Sequence, residues 1–471
     1  MAELGRPIGR TERYMLSRVF AGVPPIVAFT ACLPPCDGGS LRAAVDSLLA
    51  HEPLLACHVT EVRSTAPRWA RNQGLTAEDI VDESADSGTG TPEDILRRAF
   101  ETGFDSKVRN NALWRVWLGP KDDKGGRRIT LFLNHILADG TATRNLFAEL
   151  LKRVHAGSSP SNAVAALAPT REDSIPLKPS LFTVAKVVFS DLIAPKFPTF
   201  LRPAQPTTVF PNSPLVPPYL QSTAFRGLSL PASLVADLKA QGKSHGVNTL
   251  HPILFAAGLA SASALAPVGT VVAGDSPLSV RSAEYGHPSC TGNYIIDIST
   301  TYDSTLESSS FWSTCQAYAK RLVDPSVRQA AHEHIGMLAY VPDGLVPPSA
   351  NAPEGKTKFD VWLEETLRKK HPYGATFEVS NLGVLPETGW EMEGLKDVWW
   401  AQTAMARGAA FAINPITVRG GNLNFTLTYR HGVVEEATVD AFWAGYERAL
   451  REVAAGRVSD NATLGSLAHQ R

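Results

Sequence analysis

Apolar and polar positions alternate along Ile129-Thr-Leu-Phe-Leu-Asn-His135, so Ile129, Leu131, Leu133 and His135 share one face of a predicted strand. Leu113–Leu118 forms a second apolar run. The charged, glycine-ended tip Lys121-Asp-Asp-Lys-Gly-Gly126 between the two predicts an antiparallel hairpin. The histidine emerges where the apolar face stops, at the edge of a core or channel. Beyond it come Ile136-Leu-Ala-Asp139-Gly140 and a helix-like run, Thr141–Val154.

The same patterning predicts elements on both sides. Ile26–Leu33 reads as a strand. Leu41, Val45, Leu48 and Leu49 give a helix its buried stripe after Ser40 as cap, and Leu54–Val62 returns as a strand. A polar loop covers 82–90, and Thr91-Pro-Glu-Asp94 starts a helix running to about Glu101. In the second half, helices are predicted at Ala232–Gln241, ending on Gly242, and from Asn248 or Thr249 to Leu265. Further helices fall at Phe311–Leu322, Val361–Lys370 and Val439–Val453. Strands are expected at Gly269–Ala273, Gly292–Ser299 and Ala375–Ser380. Leu423–Tyr429 alternates with Asn424, Thr426 and Thr428, which reads as a half-buried strand with a polar face.

Between the halves, residues 157–225 are rich in Pro, Ser and Thr, including Pro203, Pro206, Pro211, Pro214, Pro217 and Pro218. The organisation predicted is therefore a lobe at 1–156, a crossover linker at 157–225 and a second lobe at 226–471. Phe182–Ile193 within the linker is apolar enough for a helix docked on a lobe, which is favoured over contact with a membrane surface.

Composition narrows the class. A chain of 471 residues with 44% hydrophobic and 19% charged residues is globular and large enough for two lobes, and the fold class expected is α/β, or mixed α+β. A formal net charge of −1 implies no broad attraction to nucleic acid. No window approaches a membrane span and no apolar leader is present, so a soluble, cytoplasmic protein is expected; a monomer is expected as well. The five cysteines are read as free thiols. His332-Glu-His334 lacks a third ligand, so no metal is expected. Gly242-Lys-Ser-His-Gly246 mimics a nucleophile elbow but follows a helix instead of a strand.

The pattern His-x-x-x-Asp-Gly at His135–Gly140 would arise by chance about 0.05 times in such a chain. A histidine on a strand end suits proton transfer near neutral pH. The residues alone leave a satisfied structural histidine equally open. Asp139 lies beyond a tight turn, where a structural ion pair with an arginine competes with a shared catalytic relay.

Leu133-Asn-His-Ile-Leu-Ala-Asp-Gly140 resembles the active-site motif of the condensation-like, CoA-dependent acyltransferase superfamily, and within it the fungal alcohol O-acetyltransferases. Arg6-Pro-Ile-Gly-Arg-Thr-Glu-Arg-Tyr14, His51-Glu-Pro-Leu-Leu55, Leu113-Trp-Arg-Val116, Leu278-Ser-Val-Arg281, Gly292-Asn-Tyr294 and Phe377-Glu-Val-Ser-Asn-Leu-Gly383 agree in order. The Asp-Phe-Gly-Trp-Gly loop of the plant branch is missing, and Asp397-Val-Trp-Trp400 is a faint echo of it.

The resemblance implies a two-lobed fold with a tunnel between the lobes. It implies His135 and Asp139 as the catalytic motif, His135 being the general base and Asp139 a brace paired with Arg281. Gly140 permits close approach beside the base. Asn293, Tyr294, Ser380, Asn381 and Gly383 line the tunnel, the last three with a share in oxyanion binding. It implies transfer of an acyl group, most simply acetyl, from acetyl-CoA as co-substrate to a small-molecule alcohol of secondary metabolism, with no bound cofactor. Two alternatives stay open: a carrier-bound donor, or a tunnel reused without transfer chemistry.

Overall fold

The computed structural model describes residues 5–83, 90–104, 112–157, 166–175, 178–189, 197, 209–211, 214–267, 270–303, 306–348, 355–391, 394–395 and 397–469. Most of the predicted 82–90 loop lies outside these, as do Ser190, Asp191, Ile193, Pro203, Pro206 and Gly269.

The strands are β1 Ile26–Leu33, a side hairpin of β2 Cys57–Thr60 and β3 Arg68–Arg71, β4 Val81–Asp82, β5 Trp114–Lys121, β6 Arg127–Asn134 and β7 Thr223–Leu230. They continue as β8 Val272–Ser279, β9 Ile295–Tyr302, β10 Tyr373–Val379, β11 Val398–Gln402, β12 Gly408–Thr417 and β13 Leu423–Arg430. Two larger sheets result, ordered β11-β1-β6-β5-β4 and β7-β13-β12-β10-β8-β9. The predicted hairpin is present: β5 and β6 pair antiparallel with Trp114 opposite Leu133. This is the expected mixed α/β architecture.

Each sheet has its own core. Phe29, Leu131, Phe147, Trp114 and Trp400 fill the first beneath helices Gly38–His51 and Gly140–Ala156. Phe255, Phe377, Phe411, Phe442 and Tyr446 fill the second, against the wholly buried helix His251–Ser263 and the amphipathic helix Glu436–Ala454. Burial of such side chains contributes roughly 1.5–3 kcal/mol each. At Gly258 the helix comes so close to the sheet that a Cβ would stand 2.7 Å from the Phe377 ring.

One strand ties the halves together. β11 comes from the second half of the chain but pairs antiparallel with β1, setting Gln402 against Val27 and Trp400 against Phe29. Its backbone is also gripped from the second sheet. Asn424 Nδ2 donates to Val398 O at 2.9 Å and Thr426 Oγ1 to Trp400 O at 2.7 Å. The predicted half-exposed face of Leu423–Tyr429 is therefore buried throughout. Its polar residues face protein carbonyls instead of water.

Several boundaries differ for local reasons. Asp37 caps the first-lobe helix by accepting the Ser40 N–H at 2.7 Å, so the helix starts before Ser40. Gly242 does not end its helix, which runs Ala232–Ser244; Gly246, at φ +73°, makes the turn. The following helix starts at His251 without a side-chain cap, with Pro252 in its first turn, so neither Asn248 nor Thr249 has the predicted role. A helix not predicted at all, Arg10–Phe20, opens the chain. Leu181–Val188 is helical but not docked by its large apolar residues: Leu181 is 87% and Phe182 79% exposed, and Ser180 and Thr183 hold it by hydrogen bonds to Glu333.

Candidate active site

β6 ends at Asn134, and His135 continues it by donating its N–H to Pro25 O at 2.8 Å. The chain then turns sharply, because Leu137 N donates to Asn134 O and the Asn134 side chain accepts from Ile136 N. Asp139 stops the turn as N-cap of helix Gly140–Ala156, its Oδ1 accepting the Ala142 N–H at 2.8 Å. A cap and an ionised side chain at a helix start are both favourable.

The other carboxylate oxygen of Asp139 has two donors. Arg281 Nη2 and the Tyr294 N–H each reach Oδ2 at 2.8 Å. Arg281 also donates to Thr291 O at 2.8 Å, Gly292 O at 3.1 Å and Pro288 O, and lies over the Tyr294 ring. The guanidinium thus staples residues 288–292 to the histidine loop. Two backbone bonds complete the seam, Asp139 N to Gly292 O and Gly292 N to Leu137 O. Gly292 is at φ +84°, and a Cβ there would stand 2.5 Å from the Tyr294 ring.

The imidazole of His135 is buried, with Nδ1 3.0 Å from Asn293 Oδ1. Asn293 Nδ2 donates to His135 O at 2.8 Å and Ile136 O at 3.1 Å. Burial holds the imidazole below its ordinary pKa; the Asp139 charge opposes that shift and the Arg18 charge adds to it. At neutral pH the ring is uncharged and able to accept a proton.

The remaining predicted residues divide. Gly140 sits where a Cβ would come within 3.2 Å of Leu382 and 3.8 Å of Trp400, so the helix start packs closely on the turn after β10. In that turn Gly383 is at φ +69° and donates its N–H to Asn381 Oδ1 at 2.9 Å, while the Ser380 N–H is taken by Ile413 O. These two backbone donors are committed inside the protein. The Tyr294 ring stacks on His287 at 3.8 Å, its hydroxyl donates to Pro169 O at 2.7 Å, and burial pushes the phenol up to about 12. Behind it lies a cavity of about 360 Å³ lined by Arg6, His51, Glu52, Thr291 and Tyr294, without His135.

Sequence reasoning missed a polar layer between the sheets. Gln402, on β11, donates to Glu378 Oε1 on β10 at 2.6 Å. Asp275 is the cross-strand neighbour of Glu378, and Asp297 lies close to Asp275. Gln402 is next to Thr403, whose N–H bonds Ile26 O, and Ile26 is opposite Asn134. The acid of β10 is therefore only a few residues across the strands from His135. The Arg18 charge acts on both Glu378 and His135. A single acid inside the apolar strand Phe377–Val379 was the available signal.

Burial, reinforced by the Asp275 charge, pushes Glu378 up to about 8 from 4.5, against the pull of Gln402 and Arg18. Between those values the folded state holds a proton that the unfolded state has lost, so this contribution to stability declines as pH rises toward 8. Glu378→Gln removes the titration. The variant is expected to melt about 2–4 °C above the parent at pH 9, with the gap closing by pH 5. Parallel melting curves across that range would contradict the assignment.

Among the described residues no group of three or more His, Cys, Asp or Glu is arranged to hold a metal, and no helix is long and apolar enough to cross a membrane. All five cysteines are free thiols. His332 contacts Arg171, and Ser244 Oγ donates to Gln241 O within its own helix end.

Residues 276–450 match the family model described as alcohol acetyltransferase. No curated protein matches the chain in sequence. Among solved structures, the TRI3 trichothecene 15-O-acetyltransferase from Fusarium sporotrichioides is similar with a TM-score of 0.65 and 12% identity, covering 96% of each chain. The condensation domain of the monacolin K polyketide synthase MokA gives 0.63 and 12%, over 98% of this chain and 99% of that one. Polyketide synthase associated protein 5 from Mycobacterium tuberculosis gives 0.61 and 16%, over 96% and 98%. At these identities the likeness is one of fold. Residues 276–450 are thus similar to the alcohol acetyltransferase family, and the chain as a whole shares the two-sheet fold of these solved structures.

Proposed function

We propose that the protein transfers an acyl group, in the simplest case acetyl, from acyl-CoA to a hydroxyl of a small metabolite, with His135 as general base. The observation that carries this reading is a buried, uncharged imidazole on a strand end, beside a segment that matches the alcohol acetyltransferase family. His135 takes the hydroxyl proton as the oxygen attacks the thioester carbonyl. The tetrahedral intermediate collapses by breaking the C–S bond, and the same proton passes to the departing thiolate. The enzyme forms no covalent acyl intermediate. Asp139 acts as a brace.

Likeness to a polyketide synthase condensation domain over nearly its whole length supports a second reading, in which the acyl group arrives on a carrier protein. The two separate on the donor. Free acetyl-CoA is expected to support saturable turnover with a hydroxylated acceptor. Turnover only with acyl groups on carrier phosphopantetheine would replace the first reading with the second.

A further inference from the structure

Asn293 was expected in the tunnel, yet its amide is used up inside the protein. Its Nδ2 has two carbonyl partners, His135 O at 2.8 Å and Ile136 O at 3.1 Å. Carbonyl oxygens only accept, so the NH2 end must face them. Turning the amide over would set Oδ1 against both oxygens. The Oδ1 end must then face the imidazole, where it stands 3.0 Å from Nδ1. An amide oxygen also only accepts, so Nδ1 must carry the hydrogen. A neutral imidazole has one N–H, which leaves the Nε2 lone pair as the free base.

The amide is itself held by the seam around Asp139. Tyr294 N donates to Asp139 Oδ2, and Gly292 is bonded in both directions to the histidine loop, through Asp139 N and Leu137 O. Asn293 lies between these two anchored residues. Among the described residues Asp139 makes no hydrogen bond to the imidazole; its carboxylate goes to Arg281, Tyr294 N and Ala142 N.

We propose that Asn293 is the positioning residue that fixes His135 as the Nδ1–H tautomer with Nε2 as the base, and that the Arg281–Asp139 pair acts on the chemistry through Asn293. The kinetic part of this proposal rests on the general-base reading of His135, whereas the tautomer does not.

The full chain labelled with ¹⁵N-histidine tests the tautomer without turnover. Its His135 signals, assigned by their loss in His135→Gln, are expected to show a pyrrole-like Nδ1 and a pyridine-like Nε2 at pH 7.5. The opposite pattern, or equal averaging over both nitrogens, would overturn the proposal. Kinetics supply the second arm. Asn293→Asp puts a carboxylate on Nδ1 and favours the imidazolium, so the acid limb of the kcat/KM profile is expected to move up by about one pH unit. Asn293→Ala should lower kcat by roughly 10- to 100-fold while the KM for acetyl-CoA changes less than about twofold. A merely structural asparagine would lower the folded fraction and leave the acid limb in place, which also overturns the proposal. If the tautomer is as stated and His135→Gln retains turnover, the general-base reading fails and the lock stands.

Discussion

Arg281→Ala destabilises the folded protein by about 3–5 kcal/mol, measured as a lowered midpoint of chemical denaturation, because it leaves the buried Asp139 carboxylate without its counter-charge. The loss exceeds that of an exposed ion pair, which is worth about 0–1 kcal/mol. Arg281 also supplies donors to Thr291 O, Gly292 O and Pro288 O, so the carbonyls of the 288–292 segment lose partners in the same substitution. Arg281→Lys keeps the charge but cannot span four acceptors with one ammonium group, and should fall between parent and alanine variant. A parent-like midpoint together with parent-like turnover in Arg281→Ala would remove the seam from the account.

His135→Ala is expected to lower kcat by about 10²- to 10⁴-fold, the range supplied by a positioned general base, with the denaturation midpoint little changed. The small effect on stability follows from the fold. The backbone bond from His135 N to Pro25 O survives the substitution, and Arg281 and Asp139 still hold the turn. A buried imidazole with a depressed pKa also opposes folding at acid pH, where the unfolded chain takes up the proton at about 6.5 and the folded chain does not. The parent should therefore lose stability relative to His135→Ala as pH falls below that value. The same depression keeps the base uncharged, so activity should persist below pH 6.5.

Local pattern made the strand ending at His135 legible, since the apolar alternation of Ile129, Leu131 and Leu133 needs only the chain itself. The hairpin to β5 and the core stripe of Phe442, Tyr446 and Leu450 were legible on the same ground. Contacts far apart in sequence were not. Asn424, Thr426 and Thr428 carry the alternation of a surface strand, and the partners that explain their burial, β11 carbonyls for the first two and the Asn414 amide for the third, lie far away in sequence. The Arg281–Asp139 pair was suggested by family resemblance alone. Asn293 was assigned to the tunnel by family resemblance; its partner lies 158 residues away, and no periodicity reports which way an amide points. Glu378 and Gln402 come from separate strands that meet only when β11 crosses to the first sheet.

Thiol release from acetyl-CoA, followed with a panel of hydroxylated and amine acceptors for parent and His135→Ala side by side, tests the central claim most directly. The parent should release coenzyme A in proportion to at least one hydroxylated acceptor and form its acetyl ester in equal amount, while His135→Ala loses about 10²-fold or more of that rate. Equal acceptor-dependent rates for the two proteins, or no acceptor-dependent release from any acyl-CoA, would contradict it.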